Sequence, residues 1–486
     1  MSAAALTPWL LVAPLAAAIL NLLVPERVRA SLSLLICVPM SALALALLLA
    51  YLQEGAIGYV AGGWEAPLGI PFVVDGLAAG MIVLTAMVSV PCAVHAATYL
   101  RGKDTANAWF WPLLWFMWTA LNTIWISADL FNLYVGMELL GLAAVGLVAL
   151  RGTPEALSAA MRYLLAALLG SLAYLLGVAL LYGSYGSLAL ADLAVHAAAG
   201  PTVMVAFALM AAGLALKTAL FPLHAWLPPA HGGALTPVSA LLSALVIKAS
   251  FYILLRLWLA LAPDATPPGA ATLLGLLGAA AVLWGSWMAW RQEQFKHLVA
   301  YSTVAQVGYL FLFFPLASGG ARAAELAYDG FILMLFSHAL AKAAMFLSAG
   351  NLILSSGGER VRDLAGISRG RLMSMVSFGI AAVSIMGLPP SGGFLAKWLY
   401  LQSALVAGQW GWIVVLVVGT LLSTMYIFRV FHQAYLEGSP HLDVTPPPVW
   451  LEISAITLAL ASVLVGFVAY APLEWMHLPA AGGGAG

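Results

Sequence analysis

Long apolar stretches alternate with short polar connections along the whole chain. A helix needs roughly 17 to 25 residues to cross about 30 Å of hydrocarbon. By that measure the pattern predicts fourteen spans, near 8–24, 30–52, 72–97, 107–127, 129–150, 156–183, 201–228, 236–262, 269–290, 297–316, 325–354, 372–406, 409–435 and 448–471. The longest connections, 53–71, 184–200, 355–371 and 436–447, leave no room for a soluble domain. The expected fold is an all-α polytopic membrane protein. The first stretch lacks a basic start and a small-residue cleavage motif, so it is expected to stay as a transmembrane helix. The final AAGGGAG reads as a frayed tail.

Basic residues fix an expected orientation. Arg27, Arg29, Arg101, Lys103, Arg151, Arg291, Lys296, Arg360, Arg362, Arg369 and Arg371 all fall in odd-numbered connections, and only Arg322 falls in an even one. Basic loops stay cytoplasmic, so both termini are expected to lie outside the cytoplasm. Seven basic residues remain within or at the ends of spans: Arg162, Lys217, Lys248, Arg256, Lys342, Lys397 and Arg429.

Two spans are interrupted. The seventh runs into PLHAWLPPAHGG, with Pro222, Pro228, Pro229 and, just beyond, Pro237; the twelfth contains GLPPSGG, with Pro389 and Pro390. Proline removes an N–H and glycine loosens the backbone, and hydrocarbon cannot satisfy the groups set free. Such breaks at corresponding positions of two halves point to a repeat, with the transport path at the breaks. Residues 107–262 (spans four to eight) and 263–436 (spans nine to thirteen) are therefore expected to form two five-helix repeats. Residues 1–106 supply three leading helices, and 437–486 the last helix and tail.

Composition agrees with a membrane protein: 63% of residues are hydrophobic, 8% are charged and 17 are Trp, with a mean hydropathy of +1.01. The net charge is zero, so no bulk electrostatic case exists for nucleic acid as a partner. Cys37 and Cys92 stand alone in apolar sequence and read as packing residues. No phosphate-binding loop, nucleophile motif or cofactor fingerprint is present, which argues against ATP hydrolysis and covalent catalysis.

The candidate chemistry lies in the buried charges, which cost several kcal/mol, roughly 2.5 to 3.5 on insertion scales, and mark ion or proton routes. Glu138 is the only acid of its span after Asp129, and a lone buried glutamate keeps its charge only beside a cation. Lys217 is the natural partner, either as a structural pair or as one that opens to release a proton. Lys248 follows 31 positions later, beyond the break. His338 and Lys342 are four apart and share a helix face; Lys397 follows the second break. In chain order Glu138, Lys217, Lys248, His338 or Lys342, and Lys397 form a series suited to relaying protons through water. Snorkelling to an interface is the competing reading, strongest for Arg256, Arg429 and Lys397. His224 and His231, seven apart across prolines, are not at metal-ligand spacing and read as satisfying the break or as lateral links of the relay. No metal site and no cofactor are expected.

The stretches KTALFPLHAWLPPAHGGALTPVSALLSALVIK, FKHLVAYSTVAQVGYLFL, SHALAKAAMFL and GLPPSGGFLAKW resemble signature segments of the proton-conducting antiporter family. Mrp-type cation/proton antiporters share these segments with the membrane arm of respiratory complex I. GGWEAPLGIPFVVDGLAAGMIVLT (Gly62 to Thr85), the chain length and a lysine after the second break look most like an Mrp D-type component. The most quinone-proximal antiporter-like subunit of complex I is the close rival. The resemblance implies inverted five-helix repeats with broken helices seven and twelve. It gives Glu138 and Lys217 the role of ion pair, Lys248 that of central carrier, His338 and Lys342 that of connecting region, and Lys397 that of terminal lysine. The sequence departs from the family pattern at Arg162, Gln294 and His297, and HGGALTPVS lacks an acid seen in some members.

The function implied is proton translocation within a multi-subunit Na+/H+ antiporter of a bacterial inner membrane, beside a larger homologous A-type subunit and small hydrophobic ones. A redox-driven pump of the complex I or membrane-hydrogenase type is the alternative, and a proton-driven subunit for inorganic-carbon uptake is the third.

Overall fold

The computed structural model describes residues 3–64, 68–197, 200–266, 269–369, 372–437 and 447–476. Arg371 and the Gly-rich end lie outside them. The leading helices are α1 (Trp9–Leu23), α2 (Glu26–Glu54) and α3 (Gly76–Tyr99). Between α2 and α3 the chain forms an antiparallel hairpin of β1 (Ile57–Ala61) and β2 (Ile70–Val74), with Ile57 opposite Val74. This corrects the expectation of helices and loops alone. Ile57, Phe72 and Val74 point inward at every second position, a period that a search for long apolar runs does not register.

Then come α4 (Asp104–Ile126), α5 (Leu130–Ala149) and α6 (Pro154–Tyr185). The first broken span is α7 (Pro201–Lys217) with α8 (Leu227–Gly233). Next, α9 (Thr236–Leu241) continues into α10 (Ile247–Ala265) through a π-helical turn, Leu242–Val246. They are followed by α11 (Ala270–Arg291), α12 (Phe295–Phe311) and α13 (Ala321–Ser356). The second broken span is α14 (Leu372–Met386) with α15 (Gly392–Val406), before α16 (Trp410–Tyr435) and α17 (Val449–Phe467).

Among the described residues, eleven helical runs are long and apolar enough to cross a membrane. On that criterion the count is eleven rather than fourteen. The remaining three stretches fall short for physical reasons: two are the broken spans, and α4 carries Asn107, Pro112, Asn122 and five tryptophans. Four of those, Trp111, Trp115, Trp118 and Trp125, are fully buried. The centre is held by the runs Thr236–Leu261, Phe295–Ala317 and Ala321–Ser356, whose apolar windows are 100%, 94% and 100% buried. Helices apolar all round belong in such a position, and Lys248 and Lys342 lie on two of these three.

Neighbouring helices meet at glycines. A Cβ on Gly213 of α7 would lie 2.2 Å from Gly170 O of α6, and one on Gly308 of α12 would lie 2.3 Å from Gly278 O of α11. Alanine at position 213 gains about 1 kcal/mol of helix propensity. A backbone carbonyl cannot step aside, however, and overpacking costs about 1–3 kcal/mol. Gly213→Ala is therefore expected to lower the thermal unfolding temperature of the protein in detergent; an unchanged or raised midpoint would show that the helices part freely.

Candidate functional site

Lys217 is the last residue of α7. The chain then leaves the helix through Ala219, whose φ of 57° lies in the left-handed region, at a strain of about 1–3 kcal/mol. Side chains add to the backbone bonds on the last carbonyls of α7: Trp226 Nε1 donates to Leu216 O at 2.9 Å and Thr218 Oγ1 to Leu214 O at 2.7 Å. Trp226 is fixed in turn by stacking on Tyr163, 4.4 Å between ring centres. Lys217 Nζ reaches Glu138 Oε1 at 3.4 Å and Met137 O at 3.5 Å. Gly170 makes room for the lysine stem, since a Cβ there would lie 2.9 Å from Lys217 Cγ. The Glu138 side chain keeps 25% exposure against 8% for Lys217, so the pair sits at the rim. A void of about 20 Å³ lined by Lys217, Tyr163, Val246 and Ser250 separates it from the central helices. That is room for one water.

Lys248 is wholly buried directly after the π-helical turn, and its Nζ donates to Ser243 O at 3.0 Å. Widened turns of this kind recur at functional sites. From Ser243 the contacts continue at its side chain. Its Oγ meets Thr303 Oγ1 at 2.9 Å, Thr303 Oγ1 donates to Val299 O at 3.2 Å, and Lys342 Nζ donates to the same carbonyl at 2.6 Å. Lys342 also donates to Ser302 Oγ at 2.6 Å. Four residues on from Ser302, Gln306 Nε2 donates to Ile385 O at 3.3 Å, and Lys397 Nζ donates to that carbonyl at 3.1 Å. One face of α12 thus joins Lys248, Lys342 and Lys397. Sequence reading missed Ser302, Thr303 and Gln306; their spacing in AYSTVAQVGY, at i, i+1 and i+4, was the available signal.

Lys397 is buried and serves the second break. Besides Ile385 O it donates to Met386 O at 3.2 Å and Thr420 Oγ1 at 3.4 Å, meeting the negative C-terminal end of α14. Gly387 (φ 74°) leaves space for it, since a Cβ there would lie 2.7 Å from Lys397 Cδ. The snorkelling alternative does not describe this lysine. His338 and His231 are both buried, with neither ring nitrogen bonded to a protein group among the described residues. His231 packs edge-on against Trp226 and Phe346. His224 stacks on Phe221. Pro222 lies in the turn after Lys217, Pro237 in the first turn of α9, and Pro389 and Pro390 between α14 and α15.

At one end of the bundle a cleft of about 520 Å³ gathers Lys103, Arg151, Lys296 and Glu359. All four come from connections expected to share a side. Arg151 pairs with Glu359 at 2.5 Å and donates to Gly233 O at 3.1 Å, and Lys296 donates to Ala234 O. Lys296 was expected in a solvated loop; it is only 8% exposed, in the first turn of α12. The other ends of α3 and α4 open on a second cavity, of about 310 Å³, which holds Asp75 and Arg256. Snorkelling was the competing reading for Arg256. That residue instead makes two bonds to Asp75, at 2.5 and 2.6 Å. Burial alone would raise the Asp75 carboxyl; the guanidinium outweighs it and holds the group below the ordinary carboxylate range. Arg162 is exposed on α6, and Arg429 donates to Trp290 O on α11. Cys37 and Cys92 are buried as packing residues.

Comparison with known proteins places the chain. The family described as NADH:quinone oxidoreductase/Mrp antiporter, transmembrane, matches residues 127–423. The N subunit of the NADH-quinone oxidoreductase of Desulforudis audaxviator is 41% identical over 82% of this chain and 81% of its own length. The D-type component of the Na(+)/H(+) antiporter of Alkalihalophilus pseudofirmus is 28% identical over 86% of this chain and 84% of its own. A chain of the Mrp complex from a Dietzia species superposes with a TM-score of 0.88 at 24% identity, covering 98% of this chain and 96% of that one, and so shares its fold.

Proposed function

This chain belongs to the NADH:quinone oxidoreductase/Mrp antiporter transmembrane family, and from that premise we propose that it carries protons as one subunit of a multi-subunit monovalent cation/proton antiporter. The observation that carries the reading is the series of contacts that links Lys248, through the backbone oxygen and the hydroxyl of Ser243, with Thr303, Val299 O and Lys342. Burying several cations costs stability, and a fold keeps them where they move charge. In this reading the Glu138–Lys217 pair gates, Lys248 receives the proton, Lys342 with His338 passes it along α12, and Lys397 hands it on. His231 and His224 serve as side links. Residues 107–262 and 263–436 act as two five-helix units, each organised on its broken span. The cleft around Lys296 faces the cytoplasm of a bacterial inner membrane, which puts both termini on the other side; its collection of odd-connection charges supports this.

A redox-driven pump is the second reading, favoured by the 41% identity to a quinone oxidoreductase subunit. Gentle purification of the complex from its native membrane and mass spectrometry of what travels with it separates the two. Expected companions are a larger homologous subunit and small hydrophobic ones, with Na+-dependent proton movement in liposomes. Iron–sulfur or quinone-reducing companions would replace the antiporter reading with the redox one, and a chain that purifies alone and still transports would overturn both.

A further inference from the structure

The relay leaves one line of polar groups unused. Lys248, Tyr252 and Arg256 stand at i, i+4 and i+8 on α10, hence on one face and about 6 Å apart along the axis. They run from the buried central lysine to the 310 Å³ cavity, at the end of the bundle away from Lys296. A proton leaving Lys248 in this direction would meet the Tyr252 oxygen first. That hydroxyl is taken: it donates to Trp125 O at 2.5 Å and accepts from Arg256 Nε at 2.9 Å and a second guanidinium nitrogen at 2.7 Å. Beyond it stands a guanidinium, which keeps its proton under all working conditions and has no lone pair to accept another. Asp75 lies on the far side, fixed as the N-terminal cap of α3 by Ala78 N at 2.9 Å. The positive end of the pair therefore faces inward.

We propose that the Arg256–Asp75 pair, with Tyr252, is an electrostatic plug that seals the Lys248 site against direct leak to the face opposite the Lys296 cleft. A fixed arginine charge at a pore mouth excludes protons and cations in the same way elsewhere. The inference rests on the reading of Lys248 as a proton carrier. It goes beyond that reading by giving the carrier one closed side, so that protons must take the longer way along α12.

The test uses the native complex in proteoliposomes under a diffusion potential set by a permeant anion (thiocyanate), in an N-methylglucamine buffer free of Na+ and K+, with a pH-sensitive dye and no redox substrate. Arg256→Gln is expected to raise passive proton leak several-fold; a bare unit charge about 12 Å away at an effective dielectric of about 20 sets a ceiling near tenfold. Adding Lys248→Met is expected to abolish that leak. Asp75→Asn keeps the guanidinium, so it is expected to stay as tight as the wild type, whereas a purely structural latch predicts equal damage from breaking either partner. A leaky Asp75→Asn complex would overturn the plug even if Arg256→Gln failed to assemble. So would an assembled but tight Arg256→Gln complex, and this result leaves coupled transport through Lys248 standing. A leak that survives Lys248→Met would overturn the assigned line.

Discussion

Lys217→Ala and Glu138→Ala are each expected to reduce coupled proton movement to the background of empty vesicles, with the complex still assembled. The ammonium and the carboxylate stand 3.4 Å apart, within range for strong coupling and too long for a fully formed bond. The pair lies against a void with room for one water, lined on its other side by Val246 and Ser250. Removing Glu138 leaves the cation at the end of α7 without its carboxylate and removes the energy on which the proposed gate depends. Removing Lys217 leaves the carboxylate with no charge to exchange. Lys217→Arg is the telling control: a guanidinium pairs with Glu138 but does not release a proton. It is expected to keep assembly and lose transport. Vesicle assays with equal amounts of reconstituted complex check all three, and transport by Lys217→Arg at the wild-type rate would remove the lysine from the path.

Lys248→Met is expected to remove transport while leaving the folded state as stable as the wild type or more so. Lys248 is wholly buried, and the bond to Ser243 O is a poor substitute for hydration. Methionine matches the length of the stem without the charge. Replacing buried ionic groups by apolar ones of similar volume is often neutral or stabilising, by about 1–4 kcal/mol. The variant is therefore expected to melt at a temperature equal to or above that of the wild type, measured by thermal unfolding in detergent. A lysine kept for packing predicts destabilisation instead. The same reasoning separates Lys248 from Lys397, which meets the exposed carbonyls of α14; its loss is expected to destabilise the second break.

The sequence announced its charges more clearly than the groups between them. Glu138, Lys217, Lys248, Lys342 and Lys397 were legible because an ionisable residue in apolar sequence is costly and rare. The breaks were legible because proline and glycine interrupt a ladder in a known way. Ser302, Thr303 and Gln306 were not, since uncharged polar residues on a helix bond to their own backbone as readily as to a neighbour. Nothing in LSALV marks the π-helical turn whose Ser243 O receives the Lys248 bond. The Asp75–Arg256 pair joins residues 181 positions apart, and Arg256, close to a span end, looked like any snorkelling arginine. Lys296 was assigned to a loop because α12 begins one residue before it. Each miss concerns a group whose meaning depends on what stands opposite it in space.

The measurement that bears most directly on the proton line is dye-monitored proton movement by the reconstituted native complex carrying Lys248→Met, against the wild type, under an imposed pH gradient and membrane potential. Flux at the level of protein-free liposomes, from a complex that melts no lower than the wild type, is the predicted result. Wild-type flux from that complex would contradict the account, because in it Lys248 stands at the head of the contacts that lead by way of Ser243, Thr303 and Val299 to Lys342.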